Sequence, residues 1–179
     1  MVGKLGTATT TPQELGDRLD GPLRGRKVQS WGEGVAAAKA AQGRGDTVVF
    51  TNGCFDILHH GHIDYLRKAR ALGSRLVVGL NSDASTKRLK GPSRPVNREG
   101  DRAELLAALE FVDQVIIFDQ DTPLELIREL RPNILVKGGD YKPESIVGRE
   151  YAGQTLTIPF VDGYSTTKII ETMKTGGAS

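Results

Sequence analysis

Apolar residues in this chain gather in short runs separated by longer amphipathic stretches, and the alternation begins only after about residue 30. Thr47 to Thr51, centred on Val48-Val49-Phe50, and Arg75 to Asn81, with Leu76-Val77-Val78-Gly79-Leu80 inside it, are short, apolar and rich in β-branched residues. Such runs predict strands buried on both faces. Gln114 to Phe118, Asn133 to Lys137 and Gln154 to Pro159 predict three more. Helical spacing fills the gaps. Ser30 caps a helix running through Val35 and Ala40 to the stop signal Gly43-Arg44-Gly45. His62 to Leu72 turns Ile63, Leu66, Ala69 and Leu72 to one side and ends at Gly73. Ser82-Asp83 is a helix-starting pair, and Lys87 to Asn97, broken by Gly91, Pro92 and Pro95, predicts a basic loop. Asp101 to Glu110 predicts a helix. Another opens at Thr122-Pro123, with Thr as cap and Pro in first position, and ends near Leu130. Ser165 starts a C-terminal helix through Ile169, Ile170 and Met173.

Strands alternating with amphipathic helices imply an α/β fold: a Rossmann-like, doubly wound parallel sheet of about five strands with helices on both faces. Residues 1–29 are rich in Gly, Thr and Arg, with only Leu15, Leu19 and Leu23 to suggest periodicity, and are expected to be a weakly ordered arm. Residues 30–179 form the domain.

Composition narrows the function classes. A net charge of +2 with no dense basic block gives no ground for a nucleic-acid partner. No apolar run approaches the roughly 20 residues that span a bilayer, and Met1 to Thr11 lacks the apolar stretch of an export signal. A cytoplasmic protein without membrane attachment is expected. The single cysteine, Cys54, excludes an intrachain disulfide framework and a Cys-rich zinc site.

The candidate chemistry lies just after the predicted strands, where ligands of such sheets collect. All three histidines fall in His59-His60-Gly61-His62, downstream of Thr51-Asn52-Gly53-Cys54-Phe55-Asp56. At a strand-to-helix turn, glycine admits a close backbone approach and the helix start offers free N–H groups to an anion. A second cluster is Asn81-Ser82-Asp83 with Lys87, Arg88, Lys90 and Arg94. A third is Lys137-Gly138-Gly139-Asp140-Tyr141-Lys142, and a fourth Asp162-Gly163-Tyr164-Ser165-Thr166-Thr167-Lys168. Cations, hydroxyls and glycine-flanked N–H groups are what a polyphosphate needs. Each cluster alone has a plainer reading. The histidines could ligate a metal, although only Asp56 and Asp64 stand near them as further ligands. Gly138-Gly139 could be a tight turn, Ser165 to Thr167 a helix cap, Cys54 a small core residue and His60 a packing residue. Their joint placement favours a phosphate site. The phosphate-loop pattern G-x-x-x-x-G-K-[ST] and the dinucleotide pattern G-x-G-x-x-G after a strand are both absent.

The segment Thr51 to His62, ending in His-x-Gly-His, resembles the cytidylyltransferase-like nucleotidyltransferases, and Ser165-Thr166-Thr167-Lys168-Ile169-Ile170 resembles that superfamily's second motif. Asn81 to Pro92 and Val136 to Tyr141 are similar to the D-glycero-β-D-manno-heptose 1-phosphate adenylyltransferases. The resemblance, over roughly residues 30 to 174, implies transfer of a nucleotidyl group from a nucleoside triphosphate, with Mg²⁺, to a sugar 1-phosphate. It implies that His59, His62, Lys90, Ser165 and Thr166 act on the reacting phosphates. The nucleotide or sugar would meet Thr51, Asn52, Gly53, Cys54, Phe55, Asp56, Gly61, Asn81, Asp83, Lys87, Lys137, Gly138, Gly139, Asp140 and Thr167, without any metal bound by the protein itself. It also implies a homodimer. No kinase domain fits in 179 residues, so a separate sugar kinase and phosphatase are expected to supply the heptose phosphate.

Overall fold

The computed structural model describes residues 27–139, 141–159 and 165–174. Six parallel strands form one sheet in the order β1-β4-β3-β2-β5-β6. They are β1 (Val28–Gln29), β2 (Val48–Gly53), β3 (Arg75–Asn81), β4 (Gln114–Phe118), β5 (Ile134–Gly138) and β6 (Gln154–Ile158). The helices are α1 (Trp31–Gly43), α2 (His60–Arg70), α3 (Asp83–Lys90), α4 (Glu99–Ala107), α5 (Leu124–Leu130) and α6 (Thr166–Lys174). The expected doubly wound α/β architecture is what the chain adopts.

Period-2 alternation along the strands divides the core in two. Val49, Leu76, Val78, Leu80, Val115 and Val136 point to one face, where Leu66 and Ala69 of α2 and Ala103 and Leu106 of α4 cover them. Val48, Phe50, Val77, Ile116 and Leu135 point to the other, under Val35, Ala38 and Ala41 of α1 and Leu126, Ile127 and Leu130 of α5. At Gly34 a methyl group would stand 2.5 Å from Ile116 Cδ1, so α1 lies closer to β4 than any side chain there would permit. Ser30 caps α1 as expected, its backbone N–H donating to the Glu33 carboxylate at 3.1 Å.

Several expectations need correcting. The sheet has a sixth strand, because Val28 and Gln29 pair with Val115 and Ile116 at its edge. The last three residues of the expected arm, 27–29, thus belong to the domain; residues 1–26 lie outside those described. β2 runs two residues further than expected and carries Asn52 and Gly53 as strand. α2 starts two residues earlier, at His60, and Leu72 lies beyond it and is exposed. Lys87, Arg88 and Lys90 sit in the last turn of α3 and not in a loop. That helix buries only Ser85 and Thr86, so it has no apolar stripe to announce it. It is held at its start by polar caps: Ser82 Oγ accepts from Ser85 N at 3.0 Å, and the Glu99 carboxylate from Asp83 N at 2.6 Å. α4 begins two residues earlier than expected. Pro123 is the residue preceding α5 rather than its first residue.

From β2 the chain winds outward through β3 and β4, then returns to the other side of β2 with β5 and β6. The order therefore reverses between β2 and β5. At their carboxyl ends the connections diverge to opposite faces and leave a crevice.

Candidate active site

A cavity of about 730 Å³ occupies that crevice. β2 delivers Asn52 and Gly53 to it, and the following loop Cys54, Phe55 and Asp56. α2 contributes His62 and Tyr65, with His59 as the residue before its first turn. β3 ends in Asn81, α3 in Lys90, and β5 in Lys137 and Gly138. Ser165, Thr166 and Thr167 arrive from the start of α6.

The histidines are arranged by the loop that precedes them. Phe55 holds a positive φ of 44°, rare for a bulky residue, which turns the chain sharply out of β2. Its buried ring then meets His62 edge-on, centroids 5.2 Å apart. Gly53 makes room, since a Cβ there would come within 3.0 Å of the Phe55 ring. His59 and His62 stack with centroids 3.8 Å apart and planes 18° from parallel. Burial, then the neighbouring His59, pushes the His62 pKa down from the ordinary 6.5 to about 4, while the Ile57 carbonyl pulls it the other way. Burial also lowers His59. Both rings are therefore neutral at neutral pH, when each carries one N–H to give. The Thr166 hydroxyl donates to the same Ile57 carbonyl at 3.3 Å, tying the start of α6 to the histidine loop. His60 is exposed.

Cations surround the rest of the cavity. Lys137 Nζ donates to Asn52 Oδ1 at 3.1 Å, spanning the crevice between β5 and β2. Lys90 and Arg94 line it as well. Arg94 is held by Asp56, Nε to Oδ2 at 2.5 Å. The other oxygen of that carboxylate accepts from the backbone of Val96 and Asn97 at 2.7 and 3.0 Å. Asp56 thus spends its acceptors on the 91–97 loop, and what it gives the cavity is a positioned Arg94.

Not every expected site residue reaches the cavity. Thr51 is a buried brace, its hydroxyl 2.5 Å from Tyr65 Oη. Gly61 is buried inside α2. Lys87 is exposed on α3 and does not line the cavity. Gly139 lies just past β5, its N–H donating to Ile158 O at 2.9 Å. Asp83 faces a separate, more open cleft of about 810 Å³ beside Glu99, Asp101 and Asp119. That cleft is acidic and has no histidine, so a triphosphate does not belong there. Asp140, like Asp162, Gly163 and Tyr164 of the fourth cluster, lies outside the described residues.

Other residues had no sequence signal. Arg102 is completely buried, and its guanidinium donates to the carbonyls of Cys54, Asn81 and Asn97 and to the Asp83 carboxylate. It fastens the loop after β2, the end of β3 and the start of α3 to one another. Ile146 and Val147, on a segment with no regular period, join Tyr141 of the third cluster in an apolar wall of the cavity.

Stacked imidazoles, hydroxyls at a helix start and the cations Lys90, Arg94 and Lys137 thus meet at the switch point of a parallel sheet. The chain belongs to the cytidylyltransferase-like family, whose pattern it matches over residues 50–172. It is 54% identical over 181 residues to the "Bifunctional protein HldE" of Geotalea uraniireducens, an alignment covering 98% of this chain and 37% of that protein. It is 53% identical over 176 residues to the protein of the same name from Campylobacter fetus, covering 97% and 37%. The chain thus spans little more than a third of the length of these relatives. The crystal structure of the lipopolysaccharide core biosynthesis protein from Thermoplasma volcanium superposes with a TM-score of 0.53 at 32% identity. That match covers 67% of this chain and 99% of the other.

Proposed function

We propose that the chain transfers an adenylyl group from ATP to D-glycero-β-D-manno-heptose 1-phosphate, forming ADP-heptose and releasing pyrophosphate. The carrying observation is the stacked, neutral His59–His62 pair joined through Ile57 to the start of α6, on a cavity ringed by Lys90, Arg94 and Lys137. The heptose acceptor is supported by the similarity to proteins named HldE and to a lipopolysaccharide core biosynthesis protein.

An oxygen of the sugar phosphate attacks the α-phosphorus while the bond to the bridging oxygen of pyrophosphate breaks. The attacking oxygen is ionised at neutral pH, so no general base is needed. The difficulty lies in bringing two anions together and stabilising charge on the bridging and leaving oxygens. Neutral imidazole N–H groups meet that need. The one N–H of neutral His62 passes from the Ile57 carbonyl to the transferring phosphoryl group when the substrates bind, and His59 donates beside it. Ser165 adds its hydroxyl on the pyrophosphate side, and Thr166 fixes the loop carrying the histidines. Arg94 balances the triphosphate, and Lys90, which faces the same space as Lys137, stands between the two substrates. Among the described residues no group of three His, Cys, Asp or Glu is placed to hold a metal. Mg²⁺ fits instead as a companion of the nucleotide, held by its phosphates, where it would spread the leaving group's charge.

The acceptor would come from a sugar kinase and a phosphatase acting earlier, and the reaction would run in the cytoplasm on a homodimer. Among the described residues no helix is long and apolar enough to cross a membrane. Pyrophosphate release measured across a panel of nucleoside triphosphates and sugar phosphates tests the assignment. The expected result is turnover only when ATP and the heptose 1-phosphate are both present. Faster turnover with CTP or GTP, or with a polyol phosphate, would replace the proposed substrates.

A further inference from the structure

Among the described residues Lys137 has no carboxylate to pair with. Its ammonium has three hydrogens to donate, and among the described residues its one hydrogen bond goes to the neutral amide oxygen of Asn52. No carboxylate of the described residues lies within ion-pair distance of Lys137 or Lys90. The acidic residues of the cavity wall are already taken: Asp56 by Arg94, and Asp121 by Arg88. Burial lowers the Lys137 pKa, Cys54 draws it back up, and the charge of Lys90 lowers it again, so the two ammonium groups face the same space. A partly desolvated cation beside a like charge is an unfavourable arrangement that an incoming anion relieves.

The two substrates bring different charges. A triphosphate arrives with its own divalent cation and meets neutral donors at His59, His62 and Ser165. The acceptor's phosphate is compact, doubly charged and arrives with none. In-line transfer also requires it to enter from the side opposite the departing pyrophosphate. The histidines and α6 are joined through Ile57 on one wall, while Lys137 stands at the end of β5, tied to β2. On the basis of the function proposed above, we propose that Lys137, oriented by Asn52, receives the phosphate of the acceptor sugar phosphate, with Lys90 as its second cation. Asn52 is the positioning residue: it holds the ammonium in the crevice without neutralising it.

The test uses the full chain and its Lys137→Gln, Lys137→Arg and Asn52→Ala variants, with circular dichroism to confirm folding. Calorimetry with inorganic phosphate, and separately with ATP and Mg²⁺, reads each subsite without turnover. Steady-state pyrophosphate release then gives KM for each substrate. The loss of one charged hydrogen-bond partner predicts that Lys137→Gln weakens phosphate binding and raises the acceptor KM by about 10- to 100-fold. ATP affinity should change less than about threefold, and Lys137→Arg should restore part of the acceptor affinity. Asn52→Ala should raise the acceptor KM in the same direction and to a smaller extent. Unchanged phosphate binding in Lys137→Gln, or a loss of ATP affinity in place of acceptor affinity, would overturn the assignment. If the wild type binds phosphate through Lys137 but turns over no sugar phosphate, the subsite stands and the proposed reaction falls.

Discussion

His59 and His62 lie face to face, ring centroids 3.8 Å apart. Two imidazolium rings at that distance would repel, so the stack belongs to the neutral pair. The folded chain holds His62 at about 4, against 6.5 for the free side chain, chiefly through burial. Between those values the unfolded chain binds more protons, so this residue's contribution to stability is complete above about pH 6.5 and is lost as pH falls toward 4. Proton NMR of the ring hydrogens should give a His62 midpoint well below the ordinary 6.5. Adding ATP and Mg²⁺ should raise the midpoint, because a phosphate accepting from the ring favours its charged form. A midpoint near 6.5 in the free protein, or one insensitive to nucleotide, would contradict the site's electrostatics.

Arg102 should be among the least replaceable residues of the domain. Arg102→Met removes a guanidinium with 0% exposure and leaves the carbonyls of Cys54, Asn81 and Asn97 and the Asp83 carboxylate without their donor. A buried acceptor left without its donor typically costs about 1–3 kcal/mol, whereas Asp83, 40% exposed, can turn to water. Urea unfolding is expected to show a loss of that order, and Arg102→Lys should recover little of it because an ammonium cannot span the same acceptors.

Asp56→Asn tests whether Asp56 anchors the loop or contacts substrate. The Asp56 side chain is 1% exposed and that of Arg94 14%. Weakening the anchor should free Arg94 and make the ends of the 91–97 loop more susceptible to trypsin, after Lys90 and Arg98. Activity should fall with it through a higher KM for ATP. Unchanged proteolysis with a higher KM for the sugar phosphate would mean that Asp56 contacts the acceptor directly.

Where the chain is started should matter over three residues. Val28 and Gln29 pair with β4, and Lys27 Nζ donates to Leu109 O at 3.0 Å. A chain beginning at Arg26 should keep kcat, since every described residue of the cavity lies later in the sequence. One beginning at Ser30 loses the edge strand and is expected to melt several degrees lower, as about 1 kcal/mol shifts the midpoint of a domain this size by roughly 2–4 °C. Equal melting temperatures for the two would return residues 27–29 to a dispensable arm.

The parts of this molecule legible in the sequence are those whose signal is local. β2, β3 and β4 stand out because buried parallel strands are apolar on both faces, and α1 because Ser30 and Gly43 mark its ends. The histidine motif is legible because four adjacent residues hold all of the chain's imidazoles. β1 was not, since two residues carry no period, and α3 was not, since polar caps rather than an apolar face hold it. The use of Asp56 as a loop anchor, of Thr51 as a brace for Tyr65 and of Arg102 as a three-way clamp depends on partners 14 to 48 positions away in the chain. Local spacing cannot report such contacts. Asn52 and Lys137 likewise sit 85 residues apart and meet only because β2 and β5 are neighbours in the sheet.

The most direct test of the mechanism is the kinetics of His62→Ala, measured as pyrophosphate release from ATP and heptose 1-phosphate beside wild type and His60→Ala. A donor that strengthens its hold in the transition state affects kcat more than substrate binding. His62→Ala should therefore lower kcat by about 10²–10³, the scale of losing one preorganised donor, with a much smaller change in ATP affinity and an unaltered circular dichroism spectrum. His60→Ala should remain near the wild-type rate. A folded His62→Ala enzyme turning over as fast as wild type would contradict the proposed role of the histidine pair.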